Sequence, residues 1–245
     1  MARFHIRPAA LNGEQIVFDE QETRHLTRVL RLGAGDVVQA MDGKGTEFTI
    51  RLEGFVGRLA QGRVLARSSR LTESSFAITL AQGVPKGEKM EWIVKTVTEL
   101  GAARVVPLLT ERCVVQLTPS RWRERTRRWQ RVAKEAAKQC GRTVVPEVRF
   151  PCDLQEFVAE AVPCDLAICF WEGERQSLRV ILDSASRAAA SALLVVGPEG
   201  GLSSSEVDLL RAHGIRTAGL GPRILRTETA GAVGVALLQA RFGDL

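Results

Sequence analysis

Residues 193–206 read LLVVGPEGGLSSSE. Leu193 to Val196 form a run with no polar face, as expected of a strand covered on both sides. The run stops at Gly197 and passes through a turn with three glycines around one carboxylate, Glu199. Ser203 followed three residues later by Glu206 is a capping box, so a helix starts directly afterwards. Strand, glycine-rich turn and helix in this order are the building unit of a parallel sheet with helices on its faces.

The same alternation extends outward. Apolar strand-length runs lie at Phe76–Gln82, Arg104–Leu108, Leu166–Phe170, Leu193–Val196 and Thr217–Leu220. Between and after them, helical spacing covers 88–100, 120–140, 153–161, 177–187, 204–213 and 228–241. The first 72 residues differ. Gln15–Phe18, Asp36–Met41, Glu47–Leu52 and Arg63–Ala66 read as short strands, Asp42-Gly43-Lys44-Gly45 as a hairpin turn, and 22–30 as a helix-like piece. This is a small β-rich module of the barrel kind. The polar stretch Ser68–Ser75 marks the boundary, giving domains 1–72 and 73–245.

At 245 residues, 45% apolar and 25% charged, the chain has ordinary globular composition. No run reaches the roughly 18 apolar residues of a membrane helix, and MARFHIRPAA lacks the apolar core of a secretory signal. Five cysteines without CxxC spacing and three histidines leave little room for a disulfide framework or a metal site. A reducing cytoplasm is the expected compartment.

The net charge of +6 is unevenly spread. Residues 110–142 hold ten basic and three acidic side chains, +7 in one stretch, the footprint expected for a phosphate-backbone partner. A solvated helix face is the alternative. Trp122, Trp129, Ala133, Ala136 and Cys140 fall on one helical stripe, so the tryptophans read as core. Ser120 is the expected cap and Gly141 the stop.

Three loops that follow strands can carry chemistry. GVPKGEK (83–89) offers two lysines at a strand-to-helix turn, suited to a phosphate or simply exposed. GPEGG (197–201) lets a backbone approach a ligand closely. LGPRILRTETAGA (220–232) places Ile224 and Leu225 inside a loop, where apolar residues suggest a pocket for a flat ring. Thr227 and Glu228 alternatively serve only as helix cap and favourable first-turn charge. GxGxxG at a strand–helix turn and GxxxxGK[ST] are both absent.

GPEGGLSSSEVDLL followed by LGPRILRTETAGAVGVALLQ resembles the knotted SPOUT methyltransferases. AQGVPKGEKMEWIVKTVTELGAARVVPLLTERCVV, KEAAKQCGRTVVPEV and HLTRVLRLGAGDVVQAMDGKG are similar to the 16S rRNA uridine-N3 methyltransferases, the small-subunit rRNA methyltransferase E family. The resemblance spans nearly the whole chain. It implies a PUA-like RNA-binding barrel, then a SPOUT α/β domain with a trefoil knot, a homodimer, S-adenosylmethionine as cofactor, 16S rRNA of the small ribosomal subunit as partner, and neither metal nor membrane. Another RNA target, a ribose 2′-hydroxyl or a tRNA, and a non-catalytic PUA-like RNA-binding protein are the alternatives.

Residue by residue, the resemblance places the cofactor at Phe170 and Trp171, at Gly197, Glu199, Gly200 and Gly201, and at Leu220, Gly221, Ile224, Leu225, Thr229 and Ala230. The step Phe170-Trp171-Glu172-Gly173 departs from relatives that often have a shorter polar step, so Trp171 either stacks near the cofactor or packs. Arg226 is the candidate cation for charge developing on the uracil carbonyls, and Glu228 or Glu199 the proton acceptor. RNA contacts are expected from Arg7, His25, Arg28 and Arg31, and from Lys86, Lys89, Arg112, Lys134, Gln139 and Arg142.

Overall fold

The computed structural model describes residues 3–69, 72–160 and 163–245. The chain divides into two compact units: Met1–Glu73 with Lys134–Val145, and Ser74–Ala133 with Pro146–Leu245. Arg70 and Leu71 of the expected boundary stretch, and Ala161 at the end of an expected helix, lie outside the described residues.

The first unit contains β1 (Arg3–His5), β2 (Leu11–Asn12), β3 (Gln15–Val17), α1 (Glu20–Arg24), β4 (Val37–Met41), β5 (Glu47–Val56) and β6 (Leu59–Ser68). They form a six-stranded mixed sheet in the order β1-β4-β5-β6-β3-β2, with β1 parallel to β4 and the rest antiparallel. Alternation in EFTIRL sends Phe48, Ile50 and Leu52 inward, where they join Phe4, Ile16, Phe18, Leu26 and Val38. The β4–β5 hairpin turns where the sequence indicates, its Asp42 carboxylate accepting from Lys44 N (2.8 Å) and Thr46 N (3.0 Å). The expected helix at 22–30 is instead α1 followed by a π-helical turn at His25–Val29, whose Leu30 N–H reaches back to His25 O.

Residues 134–145 join this unit because their cations meet its carboxylates. Glu22, fully buried, accepts from Lys138 Nζ (2.9 Å) and lies 3.6 Å from Lys134 Nζ. Glu73 accepts from Arg142 Nε (2.8 Å) and from the N–H groups of Thr143 and Val144. A boundary at residue 72 therefore captures only part of the first unit.

His5 sits beside this network with Nδ1 buried and unpartnered. Burial first, then the nearby Lys134 and Lys138, against Asp19 and Asp42, lower its pKa to about 4. Between pH 6.5 and pH 4 the unfolded chain binds the proton that folded His5 refuses, so stability falls as pH drops through that window. His5→Gln is expected to flatten that part of the decline, read as the urea midpoint of the first unit at pH 7 and at pH 4.5; an unchanged pH slope would exclude His5 as its source.

The second unit runs β7 (Ala77–Gly83), α2 (Lys89–Glu99), β8 (Arg104–Leu109), α3 (Pro119–Cys140), β9 (Glu147–Val148), β10 (Cys152–Asp153), α4 (Leu154–Ala159), β11 (Leu166–Phe170), α5 (Leu178–Ser184), β12 (Ser191–Val196), α6 (Ser204–Ala212), β13 (Arg216–Ala218) and α7 (Thr227–Phe242). Its division from the first unit falls within α3. The sheet is parallel throughout, in the order β10-β8-β7-β12-β11-β13, with β9 on β8. Leu193 and Val195 pack with Leu154, Phe157, Val207 and Leu210 of α4 and α6. Leu194 faces the other way, toward α7, where a Cβ on Gly234 would come within 2.5 Å of Leu194 and Phe170. Glycine there lets the last helix lie directly on the sheet.

Two expectations need correction. α3 begins at Pro119, so Ser120 lies inside its first turn and does not cap it. The last strand stops at Ala218, short of Leu220, because Gly219 N–H bonds to Gln176 O (2.8 Å) and leaves the ladder. Gly141 does end α3, at φ +89°, and Trp122 and Trp129 are buried.

Candidate functional site

The carboxyl ends of β7, β12, β11 and β13 are neighbours in the sheet, and the residues leaving β11, β12 and β13 line a cavity of about 790 Å³. Ligands of parallel sheets bind in this place, and small-molecule sites span roughly 300–1,000 Å³.

A buried polar knot holds the walls together. Gln82, fully buried at the end of β7, donates through Nε2 to Thr227 Oγ1 (2.8 Å), Gly83 O (3.1 Å) and Gly197 O (3.4 Å). The Thr227 hydroxyl in turn donates to Gly197 O at 2.5 Å. Gly83 passes so close to the GPEGG turn that a Cβ would lie 2.5 Å from Pro198. Thr227 is thus no helix cap: Arg226 occupies the cap position without a side-chain cap bond, and the threonine ties α7 to the turn after β12. Thr227→Val keeps the shape and loses both bonds, leaving Gln82 Nε2 with Gly83 O and only the longer, 3.4 Å contact to Gly197 O. It is expected to raise the KM for the cavity's ligand several-fold, whereas Thr227→Ser retains wild-type binding. Equal effects of the two variants would show that the bonds do not shape the cavity.

Glu199 is held at the cavity rim by Lys89 Nζ (2.9 Å) and by the Lys86 N–H (3.2 and 3.3 Å). Burial alone would raise its pKa, but the hydrogen bond from Lys89 and those from backbone N–H groups outweigh this and leave the carboxyl below its usual range. Lys89 is pushed the other way, upward, chiefly by the same bond. Its Nζ also lies 3.5 Å from Glu228 Oε2, a buried oxygen with no hydrogen-bond partner. A carboxylate this acidic stabilises positive charge but is a weak general base near neutrality. Arg226 lines the same cavity and is exposed.

Of the expected cofactor residues, Phe170, Trp171, Gly197, Glu199, Gly200 and Gly201 line the cavity, and so do Leu220, Gly221, Ile224, Leu225 and Ala230. Thr229 does not: on α7 the lining positions are Thr227 and Ala230, three residues apart on one face, and Thr229 lies on another. Glu228 is likewise off the wall, at Lys89. Ile224 is 87% exposed, an apolar side chain at the cavity with no protein cover. Trp171 packs on the core beneath the Arg211 guanidinium (5.3 Å to the ring) while still lining the cavity.

Glu172, Glu174, Gly219 and Arg223 also line it, and sequence reasoning missed them. Glu174 accepts first from Gln176 N–H, then from the Thr217 hydroxyl, Arg175 N–H and Arg211, and its pKa falls to about 2. That ionised carboxylate fixes the turn after β11. The acid-rich run from 172 to 174 is visible in the sequence, but its role depends on partners 37 and 43 residues away.

The expected RNA-binding residues separate into two groups. In the first unit Arg7, Arg28, Arg31 and Gln139 are exposed, and His25 is half-buried with its ring 5.3 Å from Phe4. Lys134 and Arg142 are instead committed to Glu22 and Glu73, and Arg142 is buried. A side chain in a buried ion pair is not free to meet a phosphate. In the second unit Lys86 and Arg112 are exposed, with Arg112 donating to Gly200 O (3.0 Å), while Lys89 is shared between two glutamates.

Among the described residues no group of side chains could hold a metal, and no helix is long and apolar enough to cross a membrane. A family model described as an RNA methyltransferase domain matches residues 72–239, and one described as an RNA methyltransferase PUA domain matches 18–54. A ribosomal RNA small subunit methyltransferase E of Bacillus subtilis is 34% identical over 215 residues, covering 86% of this chain and 84% of the relative. Its namesake in Synechocystis is 35% identical over 240 residues, 97% and 77% of the two chains. Among solved structures, a ribosomal RNA small subunit methyltransferase E from Neisseria gonorrhoeae bound to S-adenosyl methionine superposes with a TM-score of 0.90, at 29% identity over 100% of this chain and 99% of the other.

Proposed function

This chain belongs to the ribosomal RNA small subunit methyltransferase E family, and on that premise we propose that it methylates N3 of one uridine of small-subunit rRNA. It is an S-adenosylmethionine-dependent rRNA methyltransferase. The observation that carries the reading is the convergence of GPEGG and the 218–226 segment on one cavity, tied by Gln82 and Thr227.

The residues present fit the methyl donor. Uncovered Ile224 with Leu225 suits a flat adenine ring, and the lining carboxylates of Glu172 and Glu174, beside the Lys89-paired Glu199, suit a cationic sulfonium. When bound, that sulfonium would supply an electrophilic methyl group, its S–CH₃ bond breaking to leave a neutral thioether. The chain's own residues do the rest, and most of it is positioning. The GPEGG and 218–226 turns hold one reactant, leaving the cavity mouth for the base. As the uracil N3–H bond breaks and N3–CH₃ forms, negative charge spreads onto the flanking carbonyl oxygens, and the Arg226 guanidinium neutralises it there. The proton goes to Glu199, which lines the cavity, or to Glu228, whose Oε2 lacks a hydrogen-bond partner but stands off the wall beside Lys89.

The trefoil-knotted chain path, a homodimer and a cytoplasmic location belong to the same reading. For the dimer, Leu237 presents a 42% exposed apolar side chain on α7. Mass mapping of 16S rRNA from cells with and without the gene is the test. Loss of one base-methylated uridine is expected; methylation at a ribose hydroxyl or in tRNA, or no transfer at all, would overturn the assignment.

A further inference from the structure

Helix α3 carries six arginines and one glutamate between 119 and 133. The structure sorts the cations of this region by what they touch. Arg128 bonds Glu88 (2.7 Å) and Glu91 (3.1 Å), Lys134 and Lys138 face Glu22, and Arg142 meets Glu73 (2.6 Å). Arg123, Arg127 and Arg131 are exposed and, among the described residues, have no carboxylate, carbonyl or ring partner. Glu124, the single acid in this part of the helix, is also exposed and pairs with none of them.

These three arginines stand at i, i+4 and i+8, one above another on the face opposite Trp122, Trp129 and Ala133. The ridge is about 12 Å long. Like charges at this spacing weaken a helix, and local stability alone would place a glutamate among them. A conflict of that kind, left without structural compensation, is expected where a partner completes the surface. Three guanidinium forks in a row match successive phosphates, each bidentate.

We propose that the Arg123–Arg127–Arg131 ridge of α3 is a phosphate-backbone docking surface for the rRNA substrate. This rests on the rRNA methyltransferase reading. It assigns the contact to residues other than Lys134 and Arg142, whose charges are used inside the protein.

The test is the triple variant Arg123→Gln, Arg127→Gln, Arg131→Gln, with Arg128→Gln as the paired control. Glutamine keeps helix propensity, so the melting curve checks folding. Affinity for a 16S rRNA fragment is measured from low to moderate salt. Each lost phosphate contact lowers the slope of log K against log salt by roughly 0.7–0.9; the triple variant should therefore lose about 2 to 2.7 of slope and at least tenfold in affinity at low salt. S-adenosylmethionine affinity by calorimetry should not move, and Arg128→Gln should keep the wild-type slope. A triple variant with the wild-type slope overturns the ridge while leaving the function intact. A wild-type chain that methylates no rRNA overturns the function instead.

Discussion

Arg226→Ala is expected to lower methyl transfer by roughly 10²–10³-fold while S-adenosylmethionine affinity stays within a few-fold, the magnitude found when a donor to a developing anion is removed. The separation of the two readouts follows from where Arg226 stands. It is the residue before α7, with extended backbone and no side-chain cap bond, so the helix start does not depend on its guanidinium. That start is instead tied down by Thr227, through Gly197 O and Gln82. Truncating Arg226 removes a charge from the cavity and leaves its walls in place. A ground-state role would raise the KM for rRNA with turnover at saturation preserved; a role in the transition state lowers turnover at saturating rRNA and donor alike. Arg226→Lys is the sharper control, since an ammonium supplies charge without the planar fork and should recover only part of the rate. Single-turnover rates set beside calorimetry decide it, and an Arg226→Ala enzyme with wild-type turnover would remove Arg226 from the mechanism.

The parts of this site that are legible in the sequence are those determined by local rules. Leu193–Val196 has to be a doubly covered strand, three glycines after it have to make a backbone turn, and Ser203 with Glu206 has to start a helix; the structure has that capping box. The Asp42 hairpin and the helix stop at Gly141 follow from side-chain chemistry within a few residues. What a local pattern cannot contain is the pairing of distant groups. Gln82 reads as the end of a strand, yet its amide joins segments 115 and 145 residues away. Thr227 reads as a cap for the same reason. Charge shows this most clearly, because α3 reads as one basic stretch, whereas glutamates distant in sequence pair with Arg128, Lys134 and Lys138 and leave Arg123, Arg127 and Arg131 without one among the described residues. Even Lys89, counted as a phosphate ligand from its loop, becomes a clamp once Glu199 and Glu228 stand beside it.

Glu22→Ala is expected to destabilise the first unit by about 3 kcal/mol or more, because breaking a buried pair leaves an uncompensated charge, at a cost of roughly 3–5 kcal/mol. Glu22 is fully buried, accepts two bonds from Lys138 Nζ at 2.9 and 3.1 Å, and lies 3.6 Å from Lys134 Nζ. The Lys138 side chain is itself only 6% exposed, so the variant leaves an ammonium that water cannot reach. Glu135, 3.1 Å from the same nitrogen and half exposed, relieves part of that cost and holds the effect toward the lower end. Removing both charges has a different outcome. Glu22→Leu with Lys138→Met replaces the pair by apolar groups of similar size, and such exchanges are often neutral or stabilising. The double variant should therefore recover most of the stability lost by Glu22→Ala, apart from the charge left on Lys134. Urea unfolding followed by hydrogen exchange in β4 and β5 reads this in the first unit itself. For a domain whose whole stability is of order 5–15 kcal/mol, a loss of about 3 is a large fraction. If Glu22→Ala melts like wild type, the buried network does not hold residues 134–145 to the β-rich unit.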